Sequence, residues 1–258
     1  MHFWETCVNA LSMYSRIPMP RVDWNEKNSR YVYCFFPLVG VIAGGLLLLW
    51  LLVSRLLGFG QVLSAAVFLV IPLGVSGGLH MDGFCDVSDA FASHRDREKM
   101  LEIMKDSHTG AFAVIYTVIY MILYFSLWCE TTFTWKTVGV VALSFVISRS
   151  LSGFAAVTRK NARGSGMLMS FSEPADKNTV KLVMLLWAGV SALGAVVLSP
   201  IMGGMMVLGC GGAFLYYTLM TQRKFGGITG DLAGWFVQIC EITALLFVVL
   251  GQKVLMLL

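Results

Sequence analysis

The sequence predicts an all-α fold: a polytopic membrane helical bundle of about seven transmembrane helices plus an N-terminal interfacial or re-entrant helix. Three observations predict it. Of 258 residues, 57% are hydrophobic and only 13% are charged, where a soluble domain carries about 25% charged residues. The mean hydropathy is +0.74. The apolar runs are far longer than a barrel strand and do not alternate, so they read as helices. The whole chain, 1–258, reads as one integral membrane domain.

The elements follow in order. Residues 3–15 are apolar with scattered polar groups, and Pro18 and Pro20 stop them short of a span. An interfacial or re-entrant helix fits that length. The stretch lacks a basic region followed by a clean apolar one, so no cleavable signal peptide is expected. Spans are expected at 33–57, 62–79, 111–128, 137–157, 179–198, 205–220 and 232–250. Pro200, Gly203 and Gly204 read as a tight turn between the fifth and sixth. Met100, Leu101, Ile103 and Met104 give the 93–110 loop one amphipathic helical turn.

The loops at 16–30, 93–110, 158–178 and 221–231 fall on one side of such a bundle. They hold most of the cations, Arg16, Arg21, Lys27 and Arg30 among them. The opposite side has only Arg55, Lys136 and Lys253. The positive-inside bias makes the first set cytoplasmic and puts the N-terminus inside. The net charge of +4 sits in these loops and gives no reason to expect nucleic acid as a partner. The six cysteines form no CxxC pair, and most lie inside apolar runs. They read as small buried hydrophobes, not as a disulfide or zinc framework.

One stretch does not fit an apolar bundle. The run 62–79 leads straight into His80, Asp82, Asp86 and Asp89. If the helix continues, the aspartates stand at i, i+4 and i+7, on one face. Carboxylates stacked that way repel one another and require a cation or raised pKa values. An oxygen-only ligand set suits a hard divalent ion such as Mg²⁺ or Mn²⁺. The bland alternative is a solvated acidic face. No Lys or Arg is interleaved to neutralise that face, and Gly77-Gly78 strips side-chain bulk beside it.

Other polar groups gather on the same side. They are Lys105-Asp106-Ser107-His108, Arg149 inside the fourth span, the Arg159/Lys160/Arg163 run, and the loop Gly226-Gly227-Ile228-Thr229-Gly230-Asp231. Aspartates, cations and glycine loops together are equipment for phosphate chemistry. Each has a plainer reading. His80 could be a satisfied polar residue at a helix end. Lys105 and the 159–163 run could be ordinary cytoplasmic cations. Asp231 could cap the last helix. Arg149 is a functional candidate by its depth, or a structural partner of Glu241.

At these residues the sequence resembles a known family, the adenosylcobinamide-GDP ribazoletransferases (cobalamin 5'-phosphate synthases). SRIPMP, FPLVGVIAG, GGLHMDGFCDVSDA, LEIMKDSHTGAF and GGITGDLAG resemble five of its motifs in order, across essentially the whole chain. Ala90 stands where the family commonly has glycine, His108 where it often has arginine, and Gln238 where it often has glutamate.

The resemblance implies a transferase of cobalamin biosynthesis in the cytoplasmic (inner) membrane of a prokaryote. It would join adenosylcobinamide-GDP and α-ribazole 5'-phosphate, or α-ribazole, and release GMP. It implies Mg²⁺, with Asp82, Asp86 and Asp89 as ligands and Asp106 and Asp231 completing the shell. Asp86 is the expected general base, and Asp82 and His80 join it as catalytic residues. Lys105, Ser107, His108, Arg149, Arg159 and Thr229 are the expected substrate contacts. The expected partners are the corrinoid-GDP and ribazole phosphate substrates, the lipid bilayer and a second copy of the chain. Gly78, Asp82 and Asp86 also echo half of the CDP-alcohol phosphotransferase signature, so phospholipid synthesis is one alternative. A cation transporter using the aspartates is another.

Overall fold

The computed structural model describes residues 3–22 and 29–258. Lys27, counted above in the first basic loop, lies outside the described residues. Among the described residues, helices are joined by loops, and the one strand-like pairing is a parallel bridge between Asn161 and Ile228. The helices are α1 (Phe3–Tyr14), α2 (Val32–Leu57), α3 (Gln61–Ser76), α4 (Leu79–Ala92), α5 (Arg97–Ile103) and α6 (Ala111–Glu130). They continue with α7 (Trp135–Thr158), α8 (Met167–Ser172), α9 (Lys177–Leu198), α10 (Pro200–Phe225) and α11 (Gly230–Leu257). Six of them, α2, α6, α7, α9, α10 and α11, are long and apolar enough to cross a membrane alone. The pair α3 and α4 passes that test only together.

The bundle has an apolar core with small and polar residues where its inner helices meet, and an apolar outer face. α7 and α11 are the inner helices, while α6 and α9 keep most of their surface exposed. α7 buries Ser144, Ser148, Ser150, Ser152 and Gly153. Ser144, Ser148 and Ser150 bond back to their own helix, as Ser150 does to the Val146 carbonyl at 2.7 Å. Small side chains let backbones meet closely, which is how helices associate when lipid offers no hydrophobic contrast. A Cβ on Gly40 of α2 would lie 2.4 Å from the Phe145 carbonyl oxygen of α7. The outer face of α6 presents Val114, Ile115, Val118, Ile119, Ile122 and Leu123, all exposed. A row of that length would be a liability in water and is ordinary against acyl chains.

Two sequence expectations fail at chain turns. The second span does not run on into the aspartates. Gly77 (φ 61°) and Gly78 (φ 81°) both adopt the left-handed region, which glycine enters without steric cost. α3 stops there, and α4 leaves at 93° to it. α4 therefore turns across the end of the bundle at which α6 and α11 begin. The second correction is at Pro200, which opens α10 instead of sitting in a turn. Proline suits the first helical position, where its missing N–H has no partner to lose. Gly203 is also helical, and a Cβ there would meet the Ala195 carbonyl of α9 at 2.1 Å. The turn shrinks to Ser199.

Candidate active site

α4 keeps the expected register, so Asp82, Asp86 and Asp89 share one face. That face is not solvated. It is met by the start of α11, because two glycines remove the bulk between the helices. A Cβ on Gly83 would lie 2.6 Å from the Asp231 carbonyl oxygen. One on Gly234 would lie 3.2 Å from the His80 backbone. Asp231 thus stands against Asp82 and Asp86.

Asp86 registers this crowding. Burial, then the charges of Asp231 and Asp82, push its carboxyl up to about 7, while Arg163 pulls it down. The Arg163 Nη1 lies 2.8 Å from Asp231 Oδ2, and its Nη2 donates to the Leu101 carbonyl at 3.4 Å. Among the described residues no three His, Cys, Asp or Glu side chains stand in a finished metal-holding set. The carboxylates face one another without closing.

The loops that carry these residues are fastened to each other. Ile228 N–H donates to the Lys160 carbonyl at 2.8 Å, and Ala162 N–H to the Ile228 carbonyl at 2.9 Å. A Cβ on Gly227 would lie 2.3 Å from that Lys160 oxygen. Arg97 of α5 donates to the Ala162 carbonyl at 3.3 Å. The first motif docks on the break between α3 and α4. Arg16 N–H donates to the Val75 carbonyl at 2.9 Å. Its side chain fills the space beside Gly77, where a Cβ would lie 2.0 Å from Arg16 Cγ.

The expected site residues separate into groups. Asp82, Asp86 and Asp231 come together with His80. His80 is 4% exposed, and burial first, then the charge of Arg149, lowers its pKa to about 3. It is therefore neutral at pH 7, and its Nε2 has no partner. Asp89 has turned to α6: its oxygens accept from Gly110 N–H at 2.7 Å and Ala113 N–H at 2.8 Å. A carboxylate at a helix start satisfies orphan donors and suits the dipole. Asp106 accepts from the backbone and ring of His108, at 3.0 and 2.7 Å, and those bonds hold its pKa low. Lys105, Ser107 and His108 form an exposed loop that hangs from Asp89 through Gly110.

Two expected contacts are engaged by other groups of the chain. Thr229, 2% exposed, is the N-cap of α11 and accepts from Leu232 N–H at 3.2 Å. The plainer reading of Asp231 as that cap does not hold, since Asp231 faces Arg163. Arg149 pairs with Glu241 at 2.7 Å in the bundle centre, and its charge acts on His80 of the cavity wall. Arg159 ends α7, exposed. Arg163, counted above with its solvated neighbours, is the cation that enters the site. The signal for it was indirect: the Gly226-Gly227 pair makes room for its loop.

A cavity of about 240 Å³ opens beside these carboxylates. Asp82, Asp231 and His80 line it, together with Tyr14, Tyr33 and Phe36. Two open grooves flank Arg16, one of about 560 Å³ and one of about 730 Å³, and the larger is also lined by Asp82.

A helical membrane bundle with a carboxylate face, an inserted arginine and an adjoining cavity at one end is a membrane-embedded enzyme by its architecture. The comparisons place it further. Residues 6–249 match the family model described as Cobalamin-5-phosphate synthase, and the chain belongs to that family. It is 41% identical to the adenosylcobinamide-GDP ribazoletransferase of Lachnoclostridium phytofermentans, over 95% of this chain and 94% of that one. It is 31% identical to the protein of that name from Clostridium perfringens, over 95% and 97%. The Fusobacterium nucleatum protein of that name is 29% identical, over 93% and 94%. No solved structure matches the chain.

Proposed function

We propose that this chain transfers the corrinoid-bearing phosphoryl group of adenosylcobinamide-GDP to a hydroxyl of α-ribazole 5'-phosphate, or of α-ribazole. The products are adenosylcobalamin 5'-phosphate, or adenosylcobalamin, and GMP. The observation that carries this reading, beside family membership, is Asp86. It stands half-buried between two other carboxylates, with a pKa raised to about 7.

A base works best with a pKa near the operating pH. Asp86 takes the proton of the ribazole hydroxyl. That oxygen bonds to the phosphorus next to the corrinoid arm, and the bond from this phosphorus to the GMP oxygen breaks. Asp82 and Asp231 would hold Mg²⁺, for which an all-carboxylate set under mutual repulsion is suited. The ion, when bound, neutralises the diphosphate and the departing phosphate. Asp89 and Asp106 are engaged elsewhere, which leaves them the weaker candidates for that shell. Arg163 fixes the Asp231 carboxylate and offers its remaining donors to phosphoryl oxygens. Lys105, Ser107 and His108 would approach the substrate from their exposed loop.

The membrane we assign is the cytoplasmic one, with the site and the N-terminus inside. The bonds among the 93–110, 158–178 and 221–231 loops support a single basic face there. Purified protein in detergent, given both substrates and Mg²⁺, should release GMP and form a cobamide, and Asp82→Ala should do neither. CMP release from CDP-activated alcohols in place of that reaction would sink the reading.

A further inference from the structure

The 240 Å³ cavity is small: pockets that take whole drug-sized ligands run to roughly 300–1,000 Å³. A corrin ring does not enter it. A flat bicyclic base does. One wall is aromatic, with the Tyr14 and Phe36 rings 4.2 Å apart and the His80 ring edge-on to Phe36 at 5.9 Å. Such walls favour a planar aromatic guest. On the α7 side Ser152 and Ala156 leave the space open. Asp82 and Asp231 line the same cavity, so a base seated here stands beside the reacting groups.

The polarity of the cavity narrows the choice. Tyr33 already donates to the Leu168 carbonyl at 3.3 Å. His80 Nε2 is buried and has no partner, and a buried polar atom left so is rare in a folded chain. His80 Nε2 is thus the unpartnered atom of an aromatic wall, and it suits a largely apolar planar base with a free ring nitrogen, as in a benzimidazole.

We propose that this cavity receives the base of the acceptor nucleoside, with His80 Nε2 as its polar contact. The assignment rests on the reaction proposed above and adds to it which substrate sits where. The donor's diphosphate and corrinoid are left to the open grooves beside Arg16.

Steady-state kinetics on the full-length protein in detergent tests this. Ala156→Leu and Ser152→Val each narrow the cavity from α7 without touching a carboxylate. Each should raise the KM for α-ribazole 5'-phosphate roughly tenfold or more, as added methylenes do in a filled apolar pocket. The KM for adenosylcobinamide-GDP should stay near its original value. Both variants should also shift preference toward an acceptor with a single-ring imidazole base, a gain that misfolding cannot produce. His80→Phe, which keeps the ring and removes the polar atom, should raise the acceptor KM again. A rise in the donor KM, or weaker inhibition by GMP, with the acceptor KM unmoved would overturn the assignment and put guanine in the cavity. Absence of GMP release by the unmodified protein would overturn the reaction itself, and the assignment with it.

Discussion

Two arginine–carboxylate pairs, built alike, sit in different surroundings. Arg149 and Glu241 meet at 2.7 Å with both side chains 1% exposed. Arg163 and Asp231 meet at 2.8 Å with 12% and 25% exposed. The first joins α7 to α11 in the bundle centre. Arg149 also donates to the Phe145 carbonyl at 3.0 Å and lies over the Phe145 ring. Its other polar neighbours are Ser148, whose Oγ accepts from Arg149 Nη1 at 3.4 Å, and the buried ring of His80, on which the charge of Arg149 acts. The second pair stands at the cavity through Asp231, beside Asp82 and Asp86. Depth in the membrane makes a charge expensive, and it does not by itself make it functional. An expensive charge can be neutralised once, by a partner, and stay inert. A charge at the rim keeps donors free for a ligand.

The largest expected effect breaks the inner pair. Arg149→Met leaves Glu241 as an uncompensated buried carboxylate and should cost about 3–5 kcal/mol of stability. The double variant Arg149→Met/Glu241→Met removes both charges and should recover most of that loss, as replaced buried pairs often do. Thermal unfolding in detergent measures both. Turnover per folded molecule should survive in the double variant. A stable but inactive double variant would move Arg149 into the site and dissolve the contrast.

The outer pair should behave in reverse. Arg163→Gln should lower turnover roughly 10–100-fold, as losing the group that orients a ligand carboxylate does. Its stability should change by only about 0–1 kcal/mol, because the pair is partly solvated. Unfolding midpoints and initial rates on one preparation separate the two quantities. Equal losses in both would make the pair structural.

Between these lies the contact that brings α4 to α11. Gly83→Ala forces a Cβ against the Asp231 backbone, and overpacking of this kind costs about 1–3 kcal/mol. It should also reduce turnover, since Asp82 and Asp86 shift relative to Asp231. Gly45→Ala, whose Cβ would meet open space, is the control and should change neither. Matching behaviour of the two would mean that the approach at Gly83 is incidental.

The contrast also marks what could be seen in the sequence. The helical periodicity of Asp82, Asp86 and Asp89 is local, and it survives in α4. The long apolar spans are compositional, and they survive too. The pairing of Arg149 with Glu241 was visible as one of two readings, because few other charges lie that deep. What was hidden depends on partners distant along the chain. Gly77-Gly78 could equally lighten a straight helix or turn it. Only the left-handed backbone, with Arg16 packed beside it, decides for the turn. Asp89 looked like its two neighbours until α6 supplied unpaired N–H groups to it. Arg163 looked like Arg159 and Lys160 until the Asn161–Ile228 bridge carried it inward. Thr229, expected at the substrate, caps α11 because it has the right spacing to Leu232, which leaves Asp231 free of the plainer capping role.

The smallest expected effect concerns protons, and it tests whether the two pairs are electrically separate. Asp86 has a folded-state pKa near 7, above the ordinary carboxylate value of 3.8. Between those values the folded protein binds a proton that the unfolded chain has released. Stability from this group is therefore full below about pH 3.8 and declines as pH rises through about 7. Without divalent cations, the unfolding midpoint should fall across that window, and Asp86→Asn should flatten the fall. Arg163 is the charge that opposes the rise. Arg163→Gln should carry the window to higher pH and move the acidic limb of the turnover profile the same way. The Arg149→Met/Glu241→Met variant should leave the window in place, because neither member appears among the charges acting on Asp86. A window that moved with the inner pair and not with Arg163 would mean that the bundle centre, not the rim, sets the charge state of the site.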